Sequence, residues 1–370
     1  MLDEIKSYWE LLKRDYEARY QEDFLGDYDR SKEYLEKMET YLLKKQKTLP
    51  WNLDLLSTLA SVKFELREDE DVCLDLFKDF LEKFADSLDS VQRARIYTNM
   101  AFYDYGEGRL GYLERAYALK SPYLETYKGL GLYYFSQYQF DGLEKNLSKS
   151  KEYFRQATDL APGYESSLDY GVCLYELGAY EKARDVFLGL YKKYSDRMRV
   201  LLCLAYCEAY LGNKVQAKVY LDKVRSGQDQ NYSLSSDEIG DYEIFDLYYV
   251  LGEDSKFLAC WNEEKVAEYY IADWNHYFYA LWRQNKGDLF ARLEEKTRSY
   301  FEKALEEAEL DEDYDSLEEK EEILAGLEKE KQAFEEMIRQ IKAGGPRPSL
   351  KLSLEPESSC FLVDCVRHKF

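Results

Sequence analysis

The sequence predicts an all-α fold. Glycine and proline are scarce, with 19 and 6 residues among 370, and neither clusters before residue 344. Apolar residues recur at spacings of three and four almost throughout the chain, as they do in amphipathic helices. The alternation of apolar and polar residues that indicates strands is hard to find. A chain of this length without evident linkers is best explained as an array of repeated helical units.

The composition is that of an ordered protein with an acidic surface. Hydrophobic residues make up 45% and aromatic residues 16%, including 36 tyrosines, and the net charge is −22. This charge repels phosphate backbones, so we expect no nucleic-acid ligand. No run of about 18 uncharged apolar residues occurs, so we expect no membrane span. The first residues lack the features of a secretory signal, and most of the seven cysteines lie in apolar runs; we therefore expect free thiols and a cytoplasmic location.

Residues 1–50 are predicted to form one helical hairpin, which turns at Leu25-Gly26-Asp27-Tyr28 and stops before Pro50. Residues 51–305 are predicted to continue as further hairpins, giving six to eight in all. Near the end of this range, Gly252 and Gly287 are placed to mark two more turns.

The clearest repetition relates residues 164–197 to residues 198–231 at a shift of 34 positions. Small residues let two antiparallel helices approach closely, and glycine adopts the left-handed conformation that ends a helix. Large apolar residues fill the space between neighbouring helices. The matching pairs are Gly171/Ala205, Gly178/Gly212, Ala183/Ala217 and Phe187/Leu221.

This pattern resembles the tetratricopeptide repeat family, in which each repeat of 34 residues forms one helix–turn–helix. The preceding unit, 124–163, keeps the spacing of Phe154, Ala157 and Pro162 but holds seven additional residues near 141–147. The resemblance implies a right-handed solenoid of helix hairpins, in which the first helix of each repeat lines a concave groove.

The resemblance also implies which residues would contact a partner in that groove. Tyrosine combines a large apolar body with a hydroxyl group, which suits a recognition surface. Alternatively, many of the aromatic residues pack between helices or under the C-terminal segment. In the family's carboxylate clamp Lys128 would hold the lysine place, but Leu132 replaces the asparagine, which argues against binding of chaperone tails. The expected contacts are Arg95, Phe102, Tyr105, Lys128, Leu132, Phe135, Leu168, Val172, Tyr175, Arg199, Leu202, Tyr206 and Tyr210.

Residues 306–343 are predicted to form a long C-terminal amphipathic helix. Ser316 and Glu319 form a capping box that would start it, and Gly344-Gly345-Pro346 would end it. Its apolar side either covers the flank of the last repeat or mediates self-association. Residues 344–370 are expected to be a flexible tail, either mobile or bound to another surface.

We expect no catalytic centre, cofactor or metal. His276 lies in an aromatic helix without a nucleophile signature around it, and no phosphate-binding loop occurs. Cys360, Cys365 and His368 have a spacing that could bring them near one metal, but they lack a fourth ligand. The acids of 311–322 resemble a calcium loop only superficially, because serine occupies the glycine position.

The function expected from the sequence is a non-catalytic scaffold that holds a peptide segment or helix of a partner protein in the groove. The negative charge favours a basic partner. Two alternatives remain open: a regulator that senses a peptide, and an acidic inhibitor or immunity-type protein that neutralises a basic partner. Residues 1–50 contain no basic recognition helix, which disfavours a DNA-binding regulator.

Overall fold

The computed structural model describes residues 1–224, 239–261, 275–311, 314, 316–357 and 360–370. Within these ranges every regular element is a helix, which confirms the all-α prediction. The handedness of the predicted solenoid stays a prediction. The α-helices are α1 (Leu2–Tyr20), α2 (Tyr28–Gln46), α3 (Leu53–Glu65), α4 (Glu70–Phe84), α5 (Ser90–Tyr103), α6 (Gly108–Ala118), α7 (Leu124–Asp141), α8 (Glu144–Leu160), α9 (Tyr164–Glu176), α10 (Tyr180–Tyr191), α11 (Met198–Tyr210), α12 (Lys214–Leu221), α13 (Asp241–Leu251), α14 (Asp254–Cys260), α15 (Asn275–Arg283), α16 (Gly287–Leu310), α17 (Leu317–Lys342) and α18 (Val366–Lys369).

The chain divides into two compact units. Unit 1 contains Met1–Val186 together with Glu355–Phe370, and unit 2 contains Phe187–Leu354. The division falls within α10. The predicted hairpin of residues 1–50 corresponds to α1 and α2, and it belongs to the same unit as the hairpins that follow it.

Unit 1 is a stack of helix hairpins in which alternate helices are also neighbours. Consecutive helices pack against each other, and α1 also contacts α3, α3 contacts α5, and α5 contacts α7. An ion pair between Lys128 on α7 and Glu165 on α9 extends this row. The first helices of successive hairpins therefore form one continuous surface, which we call the first-helix face (α1, α3, α5, α7 and α9).

Glycine has the predicted roles in packing and in ending helices. A Cβ atom at Gly131 would lie 2.8 Å from the Phe154 ring, so α7 and α8 can approach this closely only with glycine there. Gly178 and Gly212 follow α9 and α11 with φ angles of +73° and +79°, in the left-handed region that glycine tolerates. The helix-ending glycines identified from the repeat are thus confirmed.

The longer repeat at 124–163 contains longer helices than the repeat that follows it. Helices α7 and α8 have 18 and 17 residues, whereas α9 and α10 have 13 and 12. Gly142, with φ +68°, joins the two longer helices. The additional residues therefore lengthen both arms of the hairpin and leave its packing pattern unchanged.

The last long helix of unit 2 is α17 (Leu317–Lys342), which is shorter than the predicted range of 306–343 because residues 306–310 belong to α16. Its first residue, Leu317, follows Ser316, whose Oγ accepts a hydrogen bond of 3.1 Å from the Glu319 amide. The apolar side of α17 is buried within unit 2, so the helix covers its neighbours α15 and α16. Self-association through α17 stays a prediction. The buried cluster includes Phe278, Phe290, Phe301, Phe334, Ile338 and Ile341.

Among the helices that the structure describes, none is long and apolar enough to cross a membrane.

Candidate functional site

We define the C-terminal strap as residues 355–370; its described residues, 355–357 and 360–370, lie along the first-helix face of unit 1. It meets the helices in reverse order, from Asp169 on α9 to Trp9 on α1, where the Phe370 ring lies 6.1 Å from the Trp9 ring. The described strap residues before Val366 are not helical, and Val366–Lys369 form α18. The sequence left open whether this segment is mobile or bound to another surface, and in the structure it is bound to the chain's own helices.

Backbone amides of the strap donate hydrogen bonds to side chains of three first helices. The amide of Glu357 donates to Asp169 Oδ1 at 2.8 Å, and that of Val363 donates to Asn99 Oδ1 at 2.9 Å. The amide of Val366 donates to Ser61 Oγ at 3.0 Å. All three acceptor residues are buried. Because every residue except proline carries this N–H group, such contacts hold an extended chain whatever its side chains are.

One acidic strap residue is held by a buried arginine. Arg95 on α5 donates to both carboxylate oxygens of Asp364, and the Asn99 amide nitrogen donates to the same carboxylate at 2.8 Å. Arg95 also pairs with Asp54 at 2.8 Å. Burial alone would lower the pKa of Arg95, but the hydrogen bonds to Asp364 and Asp54 raise it above its usual range. The guanidinium therefore remains charged and binds the strap.

A glycine on α7 makes room for an aromatic strap residue. Phe361 is buried, with its ring 5.4 Å from the Phe102 ring. A Cβ atom at Gly129 would lie 2.8 Å from Phe361 and equally close to Leu113. The absence of a side chain at Gly129 thus creates the slot in which Phe361 packs.

The basic end of the strap meets acidic side chains of the face. Arg367 donates to both carboxylate oxygens of Glu65 on α3, at 3.0 and 2.5 Å. Lys369 pairs with Glu125 on α7, which is buried. Lys6 on α1 donates to the Lys369 carbonyl at 2.8 Å. The face therefore carries a matched acidic site for each of two basic residues.

A cavity of about 700 Å³ remains between the strap and helices α5 and α7. Tyr105 at its edge is 65% exposed, and the Arg109 guanidinium lies 4.7 Å from the centre of its ring. The cavity has enough room for a large side chain of a partner. Its walls include Phe102, Tyr105, Arg109, Leu132, Phe135, Glu355, Pro356 and Phe361.

Comparison with known families identifies one repeat in the chain directly. A family model described as tetratricopeptide repeat matches residues 165–197, which include most of α9 and all of α10. Residues 165–197 therefore form a tetratricopeptide repeat. This confirms the family resemblance drawn from the 34-residue period.

Two solved structures similar to this chain are yeast Tom70 and a tetratricopeptide repeat protein from Parabacteroides merdae. Each is 16% identical in sequence. The Tom70 match covers 85% of this chain and 62% of that one, with a TM-score of 0.38. The Parabacteroides match covers 87% and 99%, with a TM-score of 0.33. Similarity at this level carries no information about what this chain binds. No protein with a curated description matches the chain.

The predicted groove residues of unit 1 are brought together along the first-helix face, but they differ in exposure. Arg95 and Phe102 contact the strap, and Tyr105 borders the cavity together with Leu132 and Phe135. The remaining four are buried: Lys128 pairs with Glu165, Tyr175 packs against the Tyr180 ring, and Leu168 and Val172 lie in the core. These four residues support the first-helix face from within.

In unit 2, the predicted groove residues have their own partners. Arg199 pairs with Glu243 on α13, and the Tyr206 hydroxyl donates to the Glu243 carbonyl at 2.8 Å. Leu202 is buried. Tyr210 is half-buried, and its hydroxyl accepts a hydrogen bond of 2.9 Å from the Leu352 amide. Leu352 belongs to the non-helical stretch 345–354 that precedes the strap, so Tyr210 also holds a backbone amide.

Sequence reasoning missed the polar residues that hold the strap. Ser61, Asn99 and Asp169 lie on first helices, but none was predicted to be a contact. A small polar residue inside a helix carries no periodic signal. Its partner is a backbone amide, which nearly every residue has, so the sequence does not indicate which residue supplies it. For Asn99 alone, a hint was available, because a buried asparagine in an apolar helix requires a hydrogen-bond partner.

Two cysteines and a histidine of the strap lie close together. Ligand atoms of Cys360, Cys365 and His368 all lie within 4.8 Å of one another, and Cys365 Sγ is 3.4 Å from His368 Nδ1. The hydrogen bond between the two thiols, with a further one from His368, lowers the pKa of Cys360. The same thiol pair raises the pKa of Cys365.

The other histidine, His276 on α15, lies among aromatic rings, as the sequence suggested. The ring centres of Tyr249 and Phe257 are 5.5 and 5.7 Å from the imidazole. Burial lowers the pKa of His276 to about 4, which favours the neutral form near neutral pH. This environment is that of a packing residue.

Proposed function

We propose that the first-helix face of unit 1 binds an extended peptide segment of a partner protein, and that the C-terminal strap occupies this face when the partner is absent. The observation that carries the proposal is a set of three buried side chains, Ser61, Asn99 and Asp169, which accept hydrogen bonds from backbone amides of the strap. Such acceptors fit a bound peptide better than they fit packing between helices, where backbone amides are already paired.

The strap itself indicates what kind of peptide would fit. An aromatic side chain would enter the slot at Gly129, as Phe361 does, and an acidic side chain would pair with Arg95. Basic side chains would pair with Glu65 and Glu125. The proposed partner segment is therefore extended, aromatic in one position and basic at one end, which agrees with the acidic charge of the chain.

Within this proposal, the groove residues take different roles. Arg95 and Phe102 bind the peptide directly, and Tyr105, Leu132 and Phe135 accept a side chain in the cavity. Tyr210 lies in unit 2, where its hydroxyl accepts a hydrogen bond from the Leu352 amide, and it is not part of the proposed face. Within unit 1, these contacts are positioned by Lys128, Leu168, Val172 and Tyr175. The predicted residues Arg199 and Tyr206 instead contact Glu243 inside unit 2, where Leu202 is also buried.

A peptide-sensing regulator is the second candidate, and the occupied face favours it. A partner peptide would have to displace the strap before it could bind, so binding would release residues 355–370 from the helices. Because the strap competes with the partner peptide for the same face, the fraction of molecules with a released strap depends on the partner's concentration. Both candidates are non-catalytic.

The test is a titration with a fluorescent peptide that copies residues 355–370, followed by anisotropy. The protein is the full chain, either unchanged or with Phe361→Ala and Asp364→Ala together, which weaken its own strap. We expect the peptide to bind the double variant at a stoichiometry of one, and to bind the unchanged chain at least about 10-fold more weakly, because the intact strap competes.

Two controls make this titration specific. Ser353→Ala changes an exposed residue outside the strap and should behave like the unchanged chain. Adding Arg95→Ala to the double variant should weaken peptide binding, because it removes the guanidinium that donates hydrogen bonds to the peptide's acidic residue. If the double variant folds normally and does not bind the peptide, the proposed function is wrong.

A further inference from the structure

The three potential ligand atoms of Cys360, Cys365 and His368 are arranged almost as a metal ion would require. Zinc bonds to sulfur at about 2.3 Å and to nitrogen at about 2.0–2.1 Å, so tetrahedral ligands are about 3.6–3.8 Å apart. The three atoms in this chain lie within 4.8 Å of one another, and one sulfur–nitrogen pair is separated by 3.4 Å. Side-chain movements of about 1 Å would therefore give all three atoms a common centre.

The surroundings hold these side chains in place and leave one side open. The amides of Val363 and Val366, which lie between the potential ligands in sequence, are fixed by Asn99 and Ser61. Cys365 is buried, Cys360 is half-buried and His368 is exposed. The backbone is thus anchored on the helix side, while solvent and ions reach the cluster from the other side.

The neighbouring carboxylate does not compete for the ion. Asp364 lies between the two cysteines in sequence, but its oxygens accept hydrogen bonds from Arg95 and Asn99. The donor set is therefore two sulfurs and one nitrogen. Soft sulfur ligands select zinc-like ions over magnesium or calcium, which prefer oxygen.

We propose that Cys360, Cys365 and His368 form a binding site for a soft divalent cation of the zinc class. The ion bonds to the two thiolates and to Nδ1 of the imidazole, and water fills the fourth position. Two S–H bonds break as two metal–sulfur bonds form, and both protons pass to the solvent. The ion joins both ends of the segment 360–368, so it also fixes this part of the strap on the first-helix face.

The sequence argued against a metal here, because the cysteines lack paired C-x-x-C spacing and no fourth ligand follows. The structure shows, in addition, that the three ligand atoms lie within 4.8 Å of one another. A three-ligand site with an open fourth position does not need the spacing of a closed structural site.

The test is a metal titration of the full chain after a phosphine has reduced its thiols and a chelator has removed bound metal. With Co²⁺ as the probe, we expect one ion per chain, a thiolate-to-cobalt charge-transfer band and the intense visible bands of tetrahedral cobalt. Added Zn²⁺ should bleach these bands. A weak spectrum like that of the hydrated ion would overturn the proposal.

Variants then assign the ligands. Cys360→Ser, Cys365→Ser and His368→Gln should each lower the zinc affinity by about 100-fold or more. Because His368 is exposed, its variant should fold normally and provides the decisive comparison. Cys260→Ser is the matched control, since Cys260 is a half-buried free thiol in unit 2. Equal affinities for His368→Gln and the unchanged chain, or an equal loss in Cys260→Ser, would contradict the assignment.

A second readout follows the strap itself. Zinc should slow hydrogen exchange at the amides of Val363 and Val366, because the bound ion ties together the residues on either side of them. In His368→Gln, zinc should leave their exchange unchanged. If zinc slows exchange equally in both proteins, these residues do not form the site.

Discussion

Arg95 and Asp364 are 269 residues apart in sequence, yet the guanidinium of Arg95 binds both carboxylate oxygens of Asp364, from Nε at 2.8 Å and from Nη2 at 2.5 Å. Both side chains are largely buried, with 14% and 10% of their surfaces exposed. A buried pair of this kind is costly to break, because the remaining charge loses its partner away from water.

Asp364→Ala should therefore destabilise unit 1. We expect the free energy of unfolding to fall by about 3 kcal/mol. This is the lower end of the range for a broken buried ion pair, because Asp54 still pairs with Arg95. Urea unfolding measures this change. Arg367→Ala is the control: it breaks an ion pair whose arginine is 45% exposed and should cost at most about 1 kcal/mol. Equal losses in the two variants would contradict a buried anchor at Asp364.

Gly129→Ala should disturb the strap, whereas Gly111→Ala should not. Both glycines lie in helices, where alanine is favoured by about 0.5–1 kcal/mol. A Cβ atom at Gly129 would clash with Phe361 and Leu113, but at Gly111 it would have no neighbour within 4 Å. We expect Gly111→Ala to stabilise the protein and Gly129→Ala to destabilise it by about 1–3 kcal/mol in chemical denaturation. Stabilisation by both changes would mean that Phe361 does not pack at Gly129.

Asp246→Asn should stabilise unit 2 in a pH-dependent manner. Burial raises the pKa of Asp246 to about 6, so between its unfolded value of about 3.9 and this value the folded state binds more protons. The contribution of this carboxyl to stability therefore falls as the pH rises through that window. We expect a gain of at most about 3 kcal/mol at about pH 7.5, shrinking towards zero near pH 4.

This experiment compares the variant with the unchanged chain at each pH by urea unfolding. Protonation of His276, whose pKa burial lowers to about 4, reduces stability as the pH falls, but it affects both proteins and cancels in the difference. Exposed Glu302→Gln is the control and should change stability little at any pH. A gain for Asp246→Asn that is independent of pH would contradict the raised pKa.

Phe334→Ala should destabilise unit 2 through its C-terminal helix. Phe334 on α17 is fully buried against Phe278 and Phe301, so its loss should cost about 3–5 kcal/mol in thermal or urea unfolding. Leu317 at the start of the same helix is 74% exposed, and Leu317→Ala should cost little. If Phe334→Ala instead splits an oligomer without lowering the stability of the monomer, α17 mediates self-association.

The fold followed from local and periodic features of the sequence. The turn glycines Gly178 and Gly212, the close contact of Gly131 with Phe154 and the cap at Ser316 each depend on residue type at a fixed spacing. Such features repeat or act within one helix turn, so one sequence reveals them.

The candidate site could be predicted only in part. Arg95 and Phe102 lie on α5, as the family pattern predicts, whereas Tyr105 lies just after the end of that helix. The pattern could not show that Asp364 would be the partner of Arg95. Nor could it separate exposed positions from buried ones such as Leu168 and Tyr206, because burial depends on what lies across the face. Contacts between segments hundreds of residues apart leave no periodic signal in a single sequence.

The most direct test of the docked strap is residue-resolved hydrogen exchange of the full chain in native buffer. The amides of Glu357, Val363 and Val366 donate hydrogen bonds to Asp169, Asn99 and Ser61, respectively. We predict slow exchange at all three in the unchanged chain, and faster exchange at Val363 and Val366 in Asp364→Ala. Exchange at the rate of an unstructured peptide at all three amides in the unchanged chain would contradict the account.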